Sequence, residues 1–149
     1  MGTITENFSY REFERSETAD RNGLVNAITS AAVRDHVKEL TESLLQPLRD
    51  AWGGGLIVSS GYRCPELNRL VGGKETSAHR TGYAADLVPE NGRVGDFFDF
   101  SEKWLMASGR PFDQYIQEHT ADRRTWWLHL SLKGMDGRQR GQVIKDYIK

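Results

Sequence analysis

The chain has 149 residues, 38% hydrophobic and 28% charged, with 20 basic and 21 acidic side chains for a formal net charge of −1. That balance suits one folded domain, residues 1–149, and gives no general pull towards nucleic acid or an anionic membrane. A single cysteine, Cys64, excludes an internal disulfide and any multi-cysteine zinc site, so a metal here would need histidine and carboxylate ligands.

No stretch approaches the roughly 18 apolar residues of a membrane span, and the first ten residues lack a basic segment followed by an apolar run. The expectation is synthesis in the cytoplasm without a signal peptide and no membrane insertion. After a polar opening, Ser30 is placed to cap a helix over Ala31 to Trp52, where Val33, Val37, Leu40, Leu44, Leu48 and Trp52 recur at helical spacing. Pro47 removes a backbone donor inside that pattern, so a bend or interruption is expected near Leu44 to Gln46, and Gly53 to Gly55 stop the helix.

Leu56 to Ser59 reads as a short strand, and Pro65 opens a short helix to Leu70. Lys74 to Gly82 is polar and turn-prone, and Tyr83 to Val88 reads as a strand ended by Pro89. Asp96 to Met106 carries a bulky helical pattern. Phe112 to Glu118 and Trp126 to Leu132 then read as antiparallel neighbours, and Val143 to Ile148 as an edge strand or a frayed helix. Helices first and strands mostly later predict an α+β fold with a small, mainly antiparallel sheet.

Of the four histidines, His36 lies in a charged helical run and His119 at a strand end, and both read as surface residues. His79 precedes Asp86 by seven residues, and that aspartate interrupts an otherwise apolar strand. Alternation puts Leu128, Leu130 and Leu132 on one face of their strand and Trp127, His129 and Ser131 on the other. Two imidazoles and one carboxylate suit zinc and leave a fourth position for water, the arrangement of a hydrolytic rather than a structural site. Spacing alone equally allows two buried histidines hydrogen-bonded to an aspartate. An iron oxygenase uses the same ligand types but spaces histidine and aspartate two apart on one strand, unlike the seven-residue step here.

Ser59-Ser60-Gly61-Tyr62-Arg63, Glu66-Leu67-Asn68, Val71-Gly72-Gly73, the Ser-x-His-x-x-Gly-x-Ala-x-Asp run from Ser77 to Asp86, and Leu128-His129-Leu130-Ser131 together resemble the M15 family. That family comprises zinc D-Ala-D-Ala carboxypeptidases and L-alanyl-D-glutamate endopeptidases. The opening Phe8-Ser9-Tyr10-Arg11-Glu12-Phe13, with Ser16-Glu17-Thr18-Ala19, is similar to its phage endolysin branch. The resemblance implies a Hedgehog-like α+β domain, one zinc ion held by His79, Asp86 and His129, and hydrolysis of a peptide bond in peptidoglycan stem peptides by a zinc-bound water. A monomer that reaches the wall after host lysis or from a phage particle is expected.

Arg63, at the family's Tyr-Arg position, is expected to bind a substrate carboxylate or an oxyanion. Ser77, Gln114 and Trp127 are further candidates for substrate contact, and Ser77 is equally suited to shaping its loop. Many members carry Glu or Asp three residues before the last histidine, where this chain has Trp126. Glu118 is therefore the expected general base, with Asp113 in reserve. Strand parity alone leaves open whether Gln114 and Glu118, or their neighbours, face the metal. Trp126 is expected to pack against the Phe97 to Trp104 helix, and Cys64 to pack or cap. The alternatives are a non-catalytic zinc-containing wall-binding or structural module, which the change at position 126 permits, and a hydrolase of another small D-amino-acid peptide.

Overall fold

A computed structural model describes residues 2–149. Residues 3–5 and 8–9 form a two-stranded hairpin, β1 and β2, followed by two single-turn helices, α1 (Tyr10–Glu14) and α2 (Glu17–Arg21). Both helices begin at a serine: Ser9 and Glu12 form a reciprocal capping box, and Ser16 accepts the N–H of Ala19. These short elements lie within the polar opening, where the runs are too brief for any periodicity to show.

Ser30 caps α3 (Ala31–Leu40) by accepting the Val33 N–H. The helical path then widens into a π turn at Thr41–Leu45 and resumes as α4 (Gln46–Trp52), ending at Gly53 in the left-handed conformation. The interruption lies where Pro47 demands it. Proline has no N–H to give the carbonyl four residues earlier, and that carbonyl, on Ser43, instead accepts from Arg110 at 3.0 Å. Val37, Leu40, Leu44, Leu45 and Leu48 are essentially inaccessible, each side chain contributing about 1.5–3 kcal/mol of apolar burial.

The main sheet has the order β3-β4-β6-β5-β7, from strands β3 (Leu56–Ser60), β4 (Ala84–Pro89), β5 (Gln114–His119), β6 (Trp126–Ser131) and β7 (Gln142–Ile148). The first four pair antiparallel, and β7 pairs parallel to β5 as an edge strand. The short helix α5 (Pro65–Leu70) follows β3, and α6 (Val94–Ser108) joins β4 to β5. The structure is thus α+β with a mainly antiparallel sheet, as the segment order predicts.

Alternation divides the sheet into two chemically distinct faces. Ala85, Leu87, Tyr115, Leu128 and Leu130 enter the core with Phe97 and Leu105 of α6. Asp86, Glu118, Trp127 and His129 belong to the opposite face, which the segment between α5 and β4 partly covers. Trp126 packs against Phe98, with ring centroids 6.2 Å apart, as expected. Among the described residues no helix is long and apolar enough to cross a membrane.

Candidate metal centre

His79 sits in a 3₁₀ turn, Ala78–Thr81, shaped from both ends. Ser77 Oγ accepts the His79 backbone N–H at 3.2 Å, and Gly82 closes the turn at φ 86°. A Cβ at Gly82 would lie 2.8 Å from the Val33 carbonyl oxygen, so only glycine lets the turn approach α3. From α3, His36 Nδ1 contacts the Thr81 carbonyl at 2.7 Å while its ring stacks on Tyr83. His36 is therefore a half-buried brace for the turn and not the free surface residue its charged run suggests.

Asp86 of β4 and His129 of β6 are register partners in the sheet. Together with His79 they bring three ligand atoms within 4.8 Å of one another, and all three residues are buried. Asp86 Oδ1 lies 3.2 Å from His79 Nε2 and 3.1 Å from His129 Nδ1. The other ring nitrogen of His79, Nδ1, is 2.7 Å from the Gly61 carbonyl oxygen, which can only accept, so the proton of a neutral ring resides there.

Burial lowers the His79 pKa to about 4, outweighing the attraction of Asp86. Burial alone would raise the Asp86 pKa, but the two imidazoles reverse that effect and hold the carboxylate ionised. Near neutral pH, a lone pair on His79 Nε2 therefore faces a carboxylate oxygen with no proton between them. Two acceptors at that distance call for a cation, and three such donors of N, N and O type fit zinc with one position left open. The bond from His79 to Gly61 supplies the outer support that fixes the tautomer of a ligating histidine.

An open cleft of about 1070 Å³ adjoins these residues, with Arg63, Ser77, Gln114 and Glu118 on its walls. The register answers the question that parity left open. Ile116 is opposite His129 and Glu118 is opposite Trp127, so Gln114, Ile116 and Glu118 share the face of His129. Glu118 is only 6% exposed, and Trp127 Nε1 donates to its Oε1 at 2.6 Å. Burial, and secondarily Asp86, raise the Glu118 pKa above the ordinary carboxylate value, against the lowering effects of His129, Lys149 and Trp127.

Arg63 is 5% exposed, with Nη2 3.7 Å from Asp86 Oδ2. Burial lowers its pKa, while Asp86 and Glu118 act in the other direction. It also borders a second cleft of about 540 Å³, whose walls include Trp127 and Asp86. Ser77 shapes the loop through His79, and the Gln114 carboxamide is tied to Gln142 at 2.7 Å. Asp113 gives both carboxylate oxygens to Arg140, each at 2.8 Å, and Oδ1 also accepts the Arg140 backbone N–H. Cys64 precedes α5 at its N-cap and makes no side-chain capping bond.

His119 is a correction: it is fully buried on the core side of β5, its ring tilted against that of Trp126 with centroids 4.2 Å apart, with Nε2 2.7 Å from Asp146 of β7. The partner lies 27 residues away on a parallel edge strand, a pairing that no local pattern encodes. Asn26, a buried polar residue of the opening segment, has no local sequence signal for the same reason, since its contacts reach Glu14, Tyr62 and Cys64.

The sequence model of the Peptidase M15 family matches residues 6–121. Over 82 residues the chain is 38% identical to a zinc D-Ala-D-Ala carboxypeptidase of Streptomyces albus G. That alignment covers 54% of this chain and spans 31% of the relative's length.

Proposed function

The chain belongs to the peptidase M15 family, and from that premise we propose that it is a zinc-dependent hydrolase of a peptide bond in the stem peptides of bacterial peptidoglycan. The convergence of His79, Asp86 and His129 within 4.8 Å, beside a cleft, carries the reading. The name of the Streptomyces relative supports both the metal and the D-alanyl substrate class. His79, Asp86 and His129 would hold one zinc ion per chain, which would supply Lewis acidity for activating water at neutral pH and polarising the scissile carbonyl.

The chain's own residues divide the remaining work. Glu118 takes a proton from the attacking water and returns it to the leaving amine, a task for which a raised pKa is suited. Asp113 is committed to Arg140, which leaves Glu118 as the available carboxylate. Arg63, permanently charged and desolvated, binds a substrate carboxylate or steadies developing negative charge. Trp127 holds Glu118 in place, while Ser77 and Gln114 stand on the walls that a peptide would follow. The similarity of residues 8–19 to the phage endolysin branch supports action on the wall after host lysis.

Mass spectrometry of peptides released from purified peptidoglycan tests this reading. Loss of terminal D-alanine identifies a carboxypeptidase, and scission between L-alanine and D-glutamate an endopeptidase. Either must disappear with chelator and return with zinc. Unchanged peptides at full zinc occupancy would overturn the reading in favour of a wall-binding module or a hydrolase of another small D-amino-acid peptide.

A further inference from the structure

Asn26 lies in the extended connection between α2 and α3, yet it is only 6% exposed. Its carboxamide makes three bonds. Nδ2 donates to the carbonyls of Glu14 at 3.0 Å and Tyr62 at 2.8 Å, and Oδ1 accepts the backbone N–H of Cys64 at 2.8 Å. Tyr62 and Cys64 are the neighbours of Arg63 on either side, so one side chain grips the backbone before and after the guanidinium-bearing residue.

The contacts of the guanidinium itself are long. Nε to Ser60 Oγ and Nη1 to Asn68 Oδ1 are each 3.3 Å, and Nη2 to Asp86 is 3.7 Å, at or beyond the edge of good hydrogen-bond geometry. The backbone is held more closely: Arg63 N–H donates to the His79 carbonyl at 3.1 Å, and Tyr62 N–H to the Phe13 carbonyl at 2.8 Å. The direction of Arg63 is thus set largely where its Cα is anchored. Burying an amide is costly unless it is bonded, and these three bonds satisfy it while linking the opening segment to the Arg63 turn.

We propose that Asn26 is a positioning residue for Arg63, fixing the guanidinium beside the metal triad so that it meets the carboxylate of the substrate peptide. The proposal rests on the reading of Arg63 given above. It assigns the opening segment a part in substrate recognition, made through the backbone at residues 62–64 and without contact to the substrate.

Asn26→Asp tests it, because the volume and the acceptor for Cys64 are kept while a donor is replaced by an acceptor facing two carbonyls. KM for the stem-peptide substrate should rise about tenfold with kcat nearly unchanged, the mark of lost uniform binding. In an Arg63→Ala background the same change should alter kcat/KM by less than about twofold, since the two effects share one element. Leu48→Val, a remote core change, controls for destabilisation and should leave KM unaltered.

A second readout is independent of turnover: the Arg63 Nε–H resonance, assigned by its absence in Arg63→Lys, should move towards its unstructured position in Asn26→Asp. Equal kinetic loss with and without the Arg63 side chain, or an unmoved resonance, overturns the proposal. If the wild type releases no peptide, the hydrolase reading fails and the resonance alone decides the role of Asn26. Should Asn26→Asp not fold, Asn26→Ser undergoes the same measurements.

Discussion

Trp127 donates its indole N–H to Glu118 Oε1 over 2.6 Å, a bond made possible because the two residues are direct partners across β5 and β6. An N–H aimed at a carboxylate favours its charged form, so this bond lowers a pKa that burial and Asp86 raise. Trp127→Phe keeps the ring and deletes the donor. The Glu118 pKa should then climb further, moving the acid limb of kcat/KM about 0.5–1 pH unit upward, since one unit corresponds to about 1.4 kcal/mol. A pH–rate profile of the two proteins checks this, and an unmoved acid limb would separate Trp127 from the base.

Removing the carboxylate has opposite consequences for chemistry and for stability. Glu118→Gln should lower kcat by about 10²–10⁴ while zinc stoichiometry and retention on peptidoglycan persist. The folded-state pKa of Glu118 is raised, so the folded chain binds this proton more tightly than the unfolded chain, and stability is lost as pH rises through that range. Above it the ionised, buried group is a burden that glutamine relieves. Glu118→Gln should therefore melt higher than wild type at neutral pH while being inert; equal turnover, or a lower melting temperature at neutral pH, would contradict the assignment.

Much of this arrangement is legible in the sequence because it is periodic or local. The leucines of β6 announce their face by alternation, Pro47 announces the break in the long helix, and Asp86 stands out as the single charge in an apolar strand. What escapes is long-range. Whether Glu118 or its neighbours face the metal depends on the register with β6, His119 is buried by a strand that joins the sheet in parallel at its edge, and Asn26 acts on a turn 36 residues away. The hairpin and the two single-turn helices near the N-terminus are too short to carry a period, although a local serine cap starts each helix.

Asp113 and Arg140 form a structural clasp at the other end of β5. The Asp113 side chain is buried, and its backbone accepts from Gln142, tying the start of β7 to the sheet. Burial raises the Asp113 pKa, but the donors of Arg140 win and lower it overall. Its contribution to stability is thus present above the unfolded carboxylate pKa, near 4, and is lost as pH falls through the lower folded value. Asp113→Asn should cost about 1.5–3 kcal/mol at neutral pH, as expected for hydrogen bonds to a charged group, and the deficit should shrink in acid. Turnover per folded molecule should be retained within about twofold. Denaturant melts across pH, paired with peptide release, check both; loss of catalysis without loss of stability would make Asp113 the base instead.

The metal centre predicts a stability that depends on zinc and on Asp86. A ligand that binds the native chain alone at 100 times its Kd adds about 2.7 kcal/mol, or about 5–10 °C in melting temperature for a domain of this size. His79 needs no deprotonation to join the site, because burial has already lowered its pKa to about 4. Its readiness should therefore survive into mildly acidic solution, where an ordinary histidine, with a pKa of about 6.5, begins to protonate. Asp86→Asn removes the negative charge that faces His79, His129 and Arg63 at once. The zinc-induced shift should then vanish, and the variant should melt below the zinc-free wild type, because Arg63 is left buried beside a neutral group. Differential scanning fluorimetry of both proteins with chelator, and with chelator followed by zinc, separates these effects. A wild-type melting temperature indifferent to zinc, or a full shift in Asp86→Asn, would exclude His79, Asp86 and His129 as the metal ligands.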